Sequence, residues 1–455
     1  MKGCICFLAV IFLVVFLCLP GYAFHNGGVG ACGGCHTMHN SSEGTALTTT
    51  GGATEFNGHI YFLIGSDQSS TCLNCHRSIT DKTPTGEHVM SGAAGASGIP
   101  VEMTPGGDFA WLRITTSAID EDGTRINNAG TDHGHNIVAA DYGLTAAGGN
   151  LSTAPGGVYP SSNLHCSSCH DPHGTYRVNG SYQIVTSALS TNTGDIAGSG
   201  SYGTVLPTDT ESVGVYRLLA GTGYLPPSLG GVAGAQFVNP PPFAFSPVSY
   251  NRAETSSDTR VAYGSGMSEW CANCHSALYN SNYPSKHEHP TGNNISAYLS
   301  STDRTGMSIA QKYNAYVYSG NLTGNQQTSY TSMVPYEEGL NLNRTNYADL
   351  ATRAVSDGSR RMGPSTGREN VMCLSCHRAH ASGWPHALRW NADGGSFLTV
   401  QGVYPGVDAP SAEARKGQYN LGYTQAQVQK TFYDRNAGAY ATYQRSLCNK
   451  CHASD

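Results

Sequence analysis

Twelve cysteines and six histidines of this 455-residue chain fall into one repeated signature, Cys-x-x-Cys-His. The copies are Cys32, Cys35 and His36; Cys72, Cys75 and His76; Cys166, Cys169 and His170; Cys271, Cys274 and His275; Cys373, Cys376 and His377; and Cys448, Cys451 and His452. This spacing serves covalent haem attachment. Two thiols add to the two vinyl groups of one porphyrin, and the following histidine comes to lie under the iron as its proximal ligand. With 15 cysteines and 18 histidines, random order predicts about 0.02 such motifs in the chain. Structural zinc would gather CxxC units in fours at close, regular spacing. These units instead stand singly, spread at wide and unequal intervals from Cys32 to Cys448. A disulfide framework has no use for a histidine after every second cysteine. The motifs predict six haem c groups.

The other three cysteines, Cys4, Cys6 and Cys18, lie in the leading segment that ends at Ala23. That stretch reads as a signal peptide: Lys2, an apolar run from Ile5 to Leu19, then Pro20-Gly21-Tyr22-Ala23. A membrane span needs about 20 apolar residues, and a lipidation signal needs a small residue where Leu17 stands before Cys18. Cleavage after Ala23 is therefore expected, with export from the cytoplasm to the compartment where haem c is attached.

Six proximal ligands leave twelve histidines, twice what six bis-histidine irons require. Such a supply argues for closed, six-coordinate irons of low potential, because a methionine ligand raises the potential. The first, third and fifth motifs continue as CH-x-x-H, placing His39, His173 and His380 three positions past a proximal ligand. Ile79 and Leu278 occupy that place in the second and fourth motifs, so the haems read as three pairs. A histidine so placed leans over its own haem's edge toward a neighbouring iron. Glycine-flanked His88, His135 and His289 complete the expected distal set, with His165 and His25 in reserve. His59, His133, His287 and His386 are expected at the surface, and Met38 in packing.

The elements that position these groups must be slight. The span from Phe24 to Asp455 has to house six haems, which is little protein around much porphyrin. Only 12% of residues are charged, and 56 are glycine. Stretches such as 187–202 and 221–234 are rich in Gly, Ser and Thr and lack a sustained hydrophobic period. Six covalent apolar plates can supply the core that such side chains do not. The expectation is a coil-dominated multihaem cytochrome c, with short helices at the haem sites, little sheet and the haem chain as core. Residues 24–455 form one unit, since no linker divides them. Arginine outnumbers lysine eighteen to seven, which suits pairing with haem propionates. A net charge of −6 without a basic stripe excludes nucleic acid as partner.

Beyond the motifs, the chain resembles the OmcS-type hexahaem outer-surface c-type cytochromes of metal-reducing bacteria. The resemblance is carried by Phe24-His25-Asn26-Gly27-Gly28, CGGCHTMHNS from Cys32, STCLNCH from Ser70, MTPGGDF from Met103 and GHNIVAADY from Gly134. LHCSSCHDPHG from Leu164, TRVAYGSGMSEWCANCH from Thr259, CLSCHRAHASG from Cys373 and YQRSLCNKCHASD from Tyr443 extend it to nearly the whole mature chain. It implies all-bis-histidine haems in one continuous stack and a homopolymeric filament at the cell surface. Other c-type cytochromes are the implied electron donors, and extracellular metal oxides or electrodes the acceptors. It also implies that His39 ligates the iron of His377 in the neighbouring subunit. His25, His88, His135, His165, His173, His289 and His380 all fall in matching segments, so eight histidines compete for six places.

The chain's ends fit a polymer independently. Cys32 follows closely on the cleavage point after Ala23, and His452 stands just before Asp455. Haems near both ends can pass electrons between subunits joined head to tail. Two rivals stand against this reading. A multihaem reductase needs an open iron, yet no CxxCK motif is present and histidine is in excess. A soluble periplasmic shuttle would share the motifs but not the polymer.

Overall fold

The structure, a computed structural model, describes residues 32–37, 59–77, 89–91, 106–119, 123–186, 205–229, 235–245, 262–279, 306–315, 335–338, 347–354 and 369–389, with short pieces at 41–42, 45–46, 53–56, 100, 195–196, 291–292 and 322–324. The leader 1–23, His25, His39, His88, His287 and His289, and the sixth motif with Cys448, Cys451 and His452, lie outside the described residues. So do the side chains of Cys32 and His59.

Coil joins short elements throughout. The longest described helix, α1 (Gln68–His76), has nine residues. It starts where Asp67 caps it: the carboxylate accepts from the Ser70 amide at 2.7 Å and also from the Ala140 amide. The helix then carries Cys72, Cys75 and His76 at i, i+3 and i+4, on one face. The other described motifs wind one turn each. The His170 amide donates to the Cys166 carbonyl at 3.0 Å, His275 to Cys271 at 3.0 Å, and His377 to Cys373 at 2.9 Å. A single turn suffices because attachment needs only that two thiols and one imidazole share a side.

Among the described residues, strands are two to four residues long and form five small sheets. One four-stranded sheet orders Ile184–Val185, Arg177–Val178, Glu211–Gly214 and Asp195–Ile196. The other orders Ala244–Phe245, Ala262–Gly264, Glu337–Glu338 and Glu369–Asn370. The largest apolar cluster among the described residues draws on both sheets, with Val178, Val213, Val215, Phe237, Phe243, Phe245 and Leu350, and Trp270 and Cys274 on its rim. A second cluster (Leu73, Met90, Phe109, Ile137, Leu144) has Cys166 on its rim, and a third (Leu219, Met267, Met372) has Cys169 and Cys271. Each of these three cores thus borders attachment cysteines. No described helix is long and apolar enough to cross a membrane.

Candidate haem sites

Three pairs of histidines face each other at nearly one spacing. Ring centres are 6.4 Å apart for His36 and His173, 6.3 Å for His170 and His380, and 6.0 Å for His135 and His275. Two imidazoles bound to opposite sides of one metal ion, each by a metal–nitrogen bond of about 2.0 Å, bring their centres to about 6.2 Å. Each pair joins one proximal histidine to one histidine expected to be distal. The rings of the first pair lie within 8° of one plane, whereas the other pairs cross at 63° and 48°.

Hydrogen bonds fix which nitrogen is free for iron. Nδ1–H of His135 donates to the Ala379 carbonyl at 2.7 Å, that of His170 to Arg217 at 2.8 Å, that of His275 to Pro155 at 2.8 Å and that of His377 to His386 at 2.7 Å. A carbonyl only accepts, so Nδ1 carries the proton and Nε2 keeps the lone pair that a metal takes. Burial, with the neighbouring His275, lowers His135 to about 4, and burial, with His170 and His135, lowers His380 to about 3. Both imidazoles are neutral at physiological pH, as ligation requires. His380 Nδ1 is a buried nitrogen without a hydrogen bond of good geometry. Its ring lies against Gly106 and stacks on Phe109, with ring centres 4.6 Å apart.

The loop behind His380 is gripped by backbone. The His135 amide donates to the His380 carbonyl at 2.9 Å, His380 to Gly106 at 2.7 Å, and Asp108 to Ala381 at 2.8 Å. A Cβ on Gly134 would stand 2.2 Å from the His380 oxygen, and one on Gly107 (φ 96°) 2.1 Å from the Ala381 oxygen. Glycine at 134 therefore lets the two histidine-bearing segments touch, bringing His135 and His380 side by side.

The attachment cysteines form a relay. Thiols of Cys72 and Cys166 hydrogen bond to each other, as do those of Cys271 and Cys373. Cys35 lies within electrostatic range of Cys72, and Cys274 of Cys169. Cysteines of motifs one to five thus neighbour one another in sequence order. None of the described motif thiols is in a disulfide.

No family model matches the chain. It is 43% identical over 442 residues to the C-type cytochrome OmcS of Geobacter sulfurreducens, covering 95% of each chain. The chain belongs to the OmcS family of c-type cytochromes. The Outer Membrane Cytochrome S filament from the same organism superposes with a TM-score of 0.69 at 41% identity, covering 95% of this chain and all of that one. The OmcS nanowires from that organism, solved by cryo-EM, superpose at 0.67 with 40% identity and the same coverage. The expected fold class stands: short helices, small sheets and mostly coil in an OmcS-like fold. So does the cofactor, since a c-type cytochrome carries its haem on such motifs and this chain has six.

Two placements in this OmcS-family chain differ from expectation or were missed. His133, expected at the surface, is fully buried. Nδ1 faces the Ser382 carbonyl at 2.9 Å, Nε2 faces the Thr116 hydroxyl at 3.2 Å, and Trp111 stacks on the ring. With both nitrogens engaged it is a structural tie, not a ligand. His386 is exposed as expected, but its carbonyl serves His377. Reserve His165 is half-buried, with Nδ1 3.1 Å from the Val138 carbonyl, the same arrangement as in His135, His170, His275 and His377.

A repeat invisible in the sequence binds the CH-x-x-H motifs. Leu63, Leu219 and Leu388 bridge His36, His170 and His377, and the next residues Ile64, Ala220 and Arg389 donate to Cys35, Cys169 and Cys376. One strap thus crosses the first, third and fifth haem sites. Outside these, Val89 donates to the His76 carbonyl, and Thr291 lies 3.9 Å from the Cys373 sulfur. The chain flanking His88 runs beside the second motif, and that flanking His289 beside the fifth.

Proposed function

We propose that this chain is an extracellular electron carrier whose subunits join head to tail into a conducting filament. The observation that carries this reading is the three histidine pairs at one spacing, with the attachment cysteines of motifs one to five neighbouring each other in sequence order, which supports a row of adjacent redox groups. Bound haem supplies a one-electron couple, and bis-histidine ligation keeps it low in potential and closed to substrates. The protein's part is to fix spacing and exclude water, not to catalyse. Membership of the OmcS family, with solved relatives that are filaments, supports the polymer.

The axial pairs follow the geometry: His36 with His173, His170 with His380, and His275 with His135. His39, His88 and His289, with His165 and His25 in reserve, serve the irons of His76, His377 and His452. Within the chain the second histidine of the third motif serves the first iron, and that of the fifth serves the third. The corresponding histidine of the first motif is His39. Its next iron in this series is that of His377 in a neighbouring subunit, so the junction between subunits repeats the junction inside one. Other c-type cytochromes supply the electrons, and external metal oxides or electrodes accept them, after export and cleavage at Ala23. Material sheared from expressing cells tests the reading: filaments of this chain with fully low-spin haem support it. Monomers on size exclusion, or ferrous haem that binds carbon monoxide, refute it.

A further inference from the structure

Arg77 directly follows His76 of the second motif, and backbone fixes its place. The Val89 amide donates to the His76 carbonyl at 2.8 Å, and Arg77 itself bridges Met90. Its guanidinium carbon lies 4.6 Å from the centre of the Tyr142 ring. That ring is tied to the motif in turn: its hydroxyl donates to Asn74 Oδ1 at 2.5 Å, and Asn74 stands between Cys72 and Cys75. The arginine is therefore seated beside the attachment loop. A guanidinium offers five N–H donors and needs acceptors for them. Nε of Arg77 is enclosed by protein without a hydrogen bond, and among the described residues no carboxylate pairs with the side chain. An aromatic face attracts the cation but leaves its planar fork free to meet a carboxylate. A second cation lies within electrostatic reach. The Phe109 amide donates to the Val89 carbonyl at 2.9 Å, which brings the turn Phe109–Arg113 beside the same segment. Burial first, then the charge of Arg77, hold Arg113 below its ordinary value. Asp108, which opposes that shift, already accepts from the Ser91 amide at 3.0 Å and the Ala110 amide at 2.8 Å.

We propose that Arg77 is a carboxylate clamp for the second haem, its guanidinium holding a propionate of the porphyrin attached at Cys72 and Cys75, with Tyr142 as its seat. Each haem c brings two propionates to its motif, and the planar fork of an arginine matches a carboxylate with two parallel hydrogen bonds. The Tyr142 ring holds the fork in place before the carboxylate arrives, so less side-chain freedom is lost when the pair forms. The clamp rests on haem attachment at the second motif, and on neither the axial pairs nor the filament.

Intact mass and peptide mapping of the haem-bearing protein come first. Five haems, with Cys72 and Cys75 bare, would overturn the attachment reading and the clamp with it. With six haems in place, a cryo-EM map that traces side chains should show Arg77 meeting a propionate of the haem at Cys72 and Cys75. Arg77 meeting only a protein carboxylate, another haem or solvent overturns the clamp and leaves attachment standing. A spectroelectrochemical titration reads the variants. Without the guanidinium the propionate charge is uncompensated, which favours the ferric iron. Arg77→Gln should therefore lower the reduction equilibrium of one haem in six about tenfold, which is about 59 mV for a one-electron couple. Arg125→Gln removes an equal charge from an exposed arginine that donates to the Ser117 hydroxyl at 3.1 Å, and should leave all six haems where they are. Superimposable titrations of Arg77→Gln and the parent overturn the clamp, as does an equal shift from Arg125→Gln.

Discussion

His170 and His380 belong to distant parts of the sequence, yet their ring centres lie 6.3 Å apart. One is the proximal histidine of the third motif. The other sits just beyond the proximal histidine of the fifth, held in place by backbone bonds to Gly106 and His135. On the proposed pairing, a motif that attaches one haem reaches over to close the iron of another, which makes haem order and chain topology a single problem.

That relationship predicts the outcome of His380→Ala. All six haems should remain attached, since no thioether is touched, and intact mass checks this. About a sixth of the haem should become high-spin and bind carbon monoxide when reduced, while the remainder stays low-spin. A fully low-spin variant would show that His380 is not an axial ligand.

His133→Ala should behave oppositely. Removing a buried ring with both nitrogens bonded and a tryptophan stacked on it should cost about 3 kcal/mol of stability, read as a lowered denaturant midpoint. The haem spectrum of the folded protein should not change. A high-spin fraction in folded His133→Ala protein would reinstate this residue as a ligand.

Gly134→Ala should disturb two irons at once. The added methyl meets the His380 carbonyl at 2.2 Å, so the segments carrying His135 and His380 must separate. High-spin haem should rise toward a third of the total, twice the His380→Ala effect. An increase confined to one haem would show that the two segments move independently.

Acid should weaken the fold through the same histidines. Burial first, with neighbouring imidazoles second, holds His135 at about 4 and His380 at about 3, against an ordinary value of 6.5. Below pH 6.5 the unfolded chain takes up protons that the folded chain refuses, so their contribution is complete above 6.5 and declines as the pH falls. In the haem-bearing protein an iron on Nε2 opposes protonation as burial does, so each group should cost about 1.4 kcal/mol per pH unit as the pH falls below 6.5. Denaturant midpoints measured at pH 7, 5.5 and 4.5 check this; a constant midpoint would refute it.

What the sequence disclosed, and what it hid, follows from where the information resides. The Cys-x-x-Cys-His motifs were legible because thioether chemistry demands that pattern, and His173 and His380 stood out as candidates because spacing alone puts them three positions past a motif histidine. The coil-dominated fold was legible from sparse charge and abundant glycine. The acceptors that orient the ligands were not, because Arg217, His386, Pro155 and Ala379 act through a carbonyl that every residue has. The strap leucines Leu63, Leu219 and Leu388 follow His36, His170 and His377 at three different intervals, too irregular to show as a repeat. His133 was misplaced because its partners, Thr116 and Ser382, become neighbours only in the folded chain.

Haem ligation and polymer assembly are, on this reading, one continuous arrangement. A cryo-EM map of filaments sheared from cells, at a resolution that traces imidazoles into iron density, examines both together. The map should join His36 with His173, His170 with His380 and His275 with His135 through one iron each. The iron of His377 should receive His39 from the adjoining subunit. Irons at these positions held by other residues, or a His377 iron closed within its own chain, would show the arrangement to be wrong.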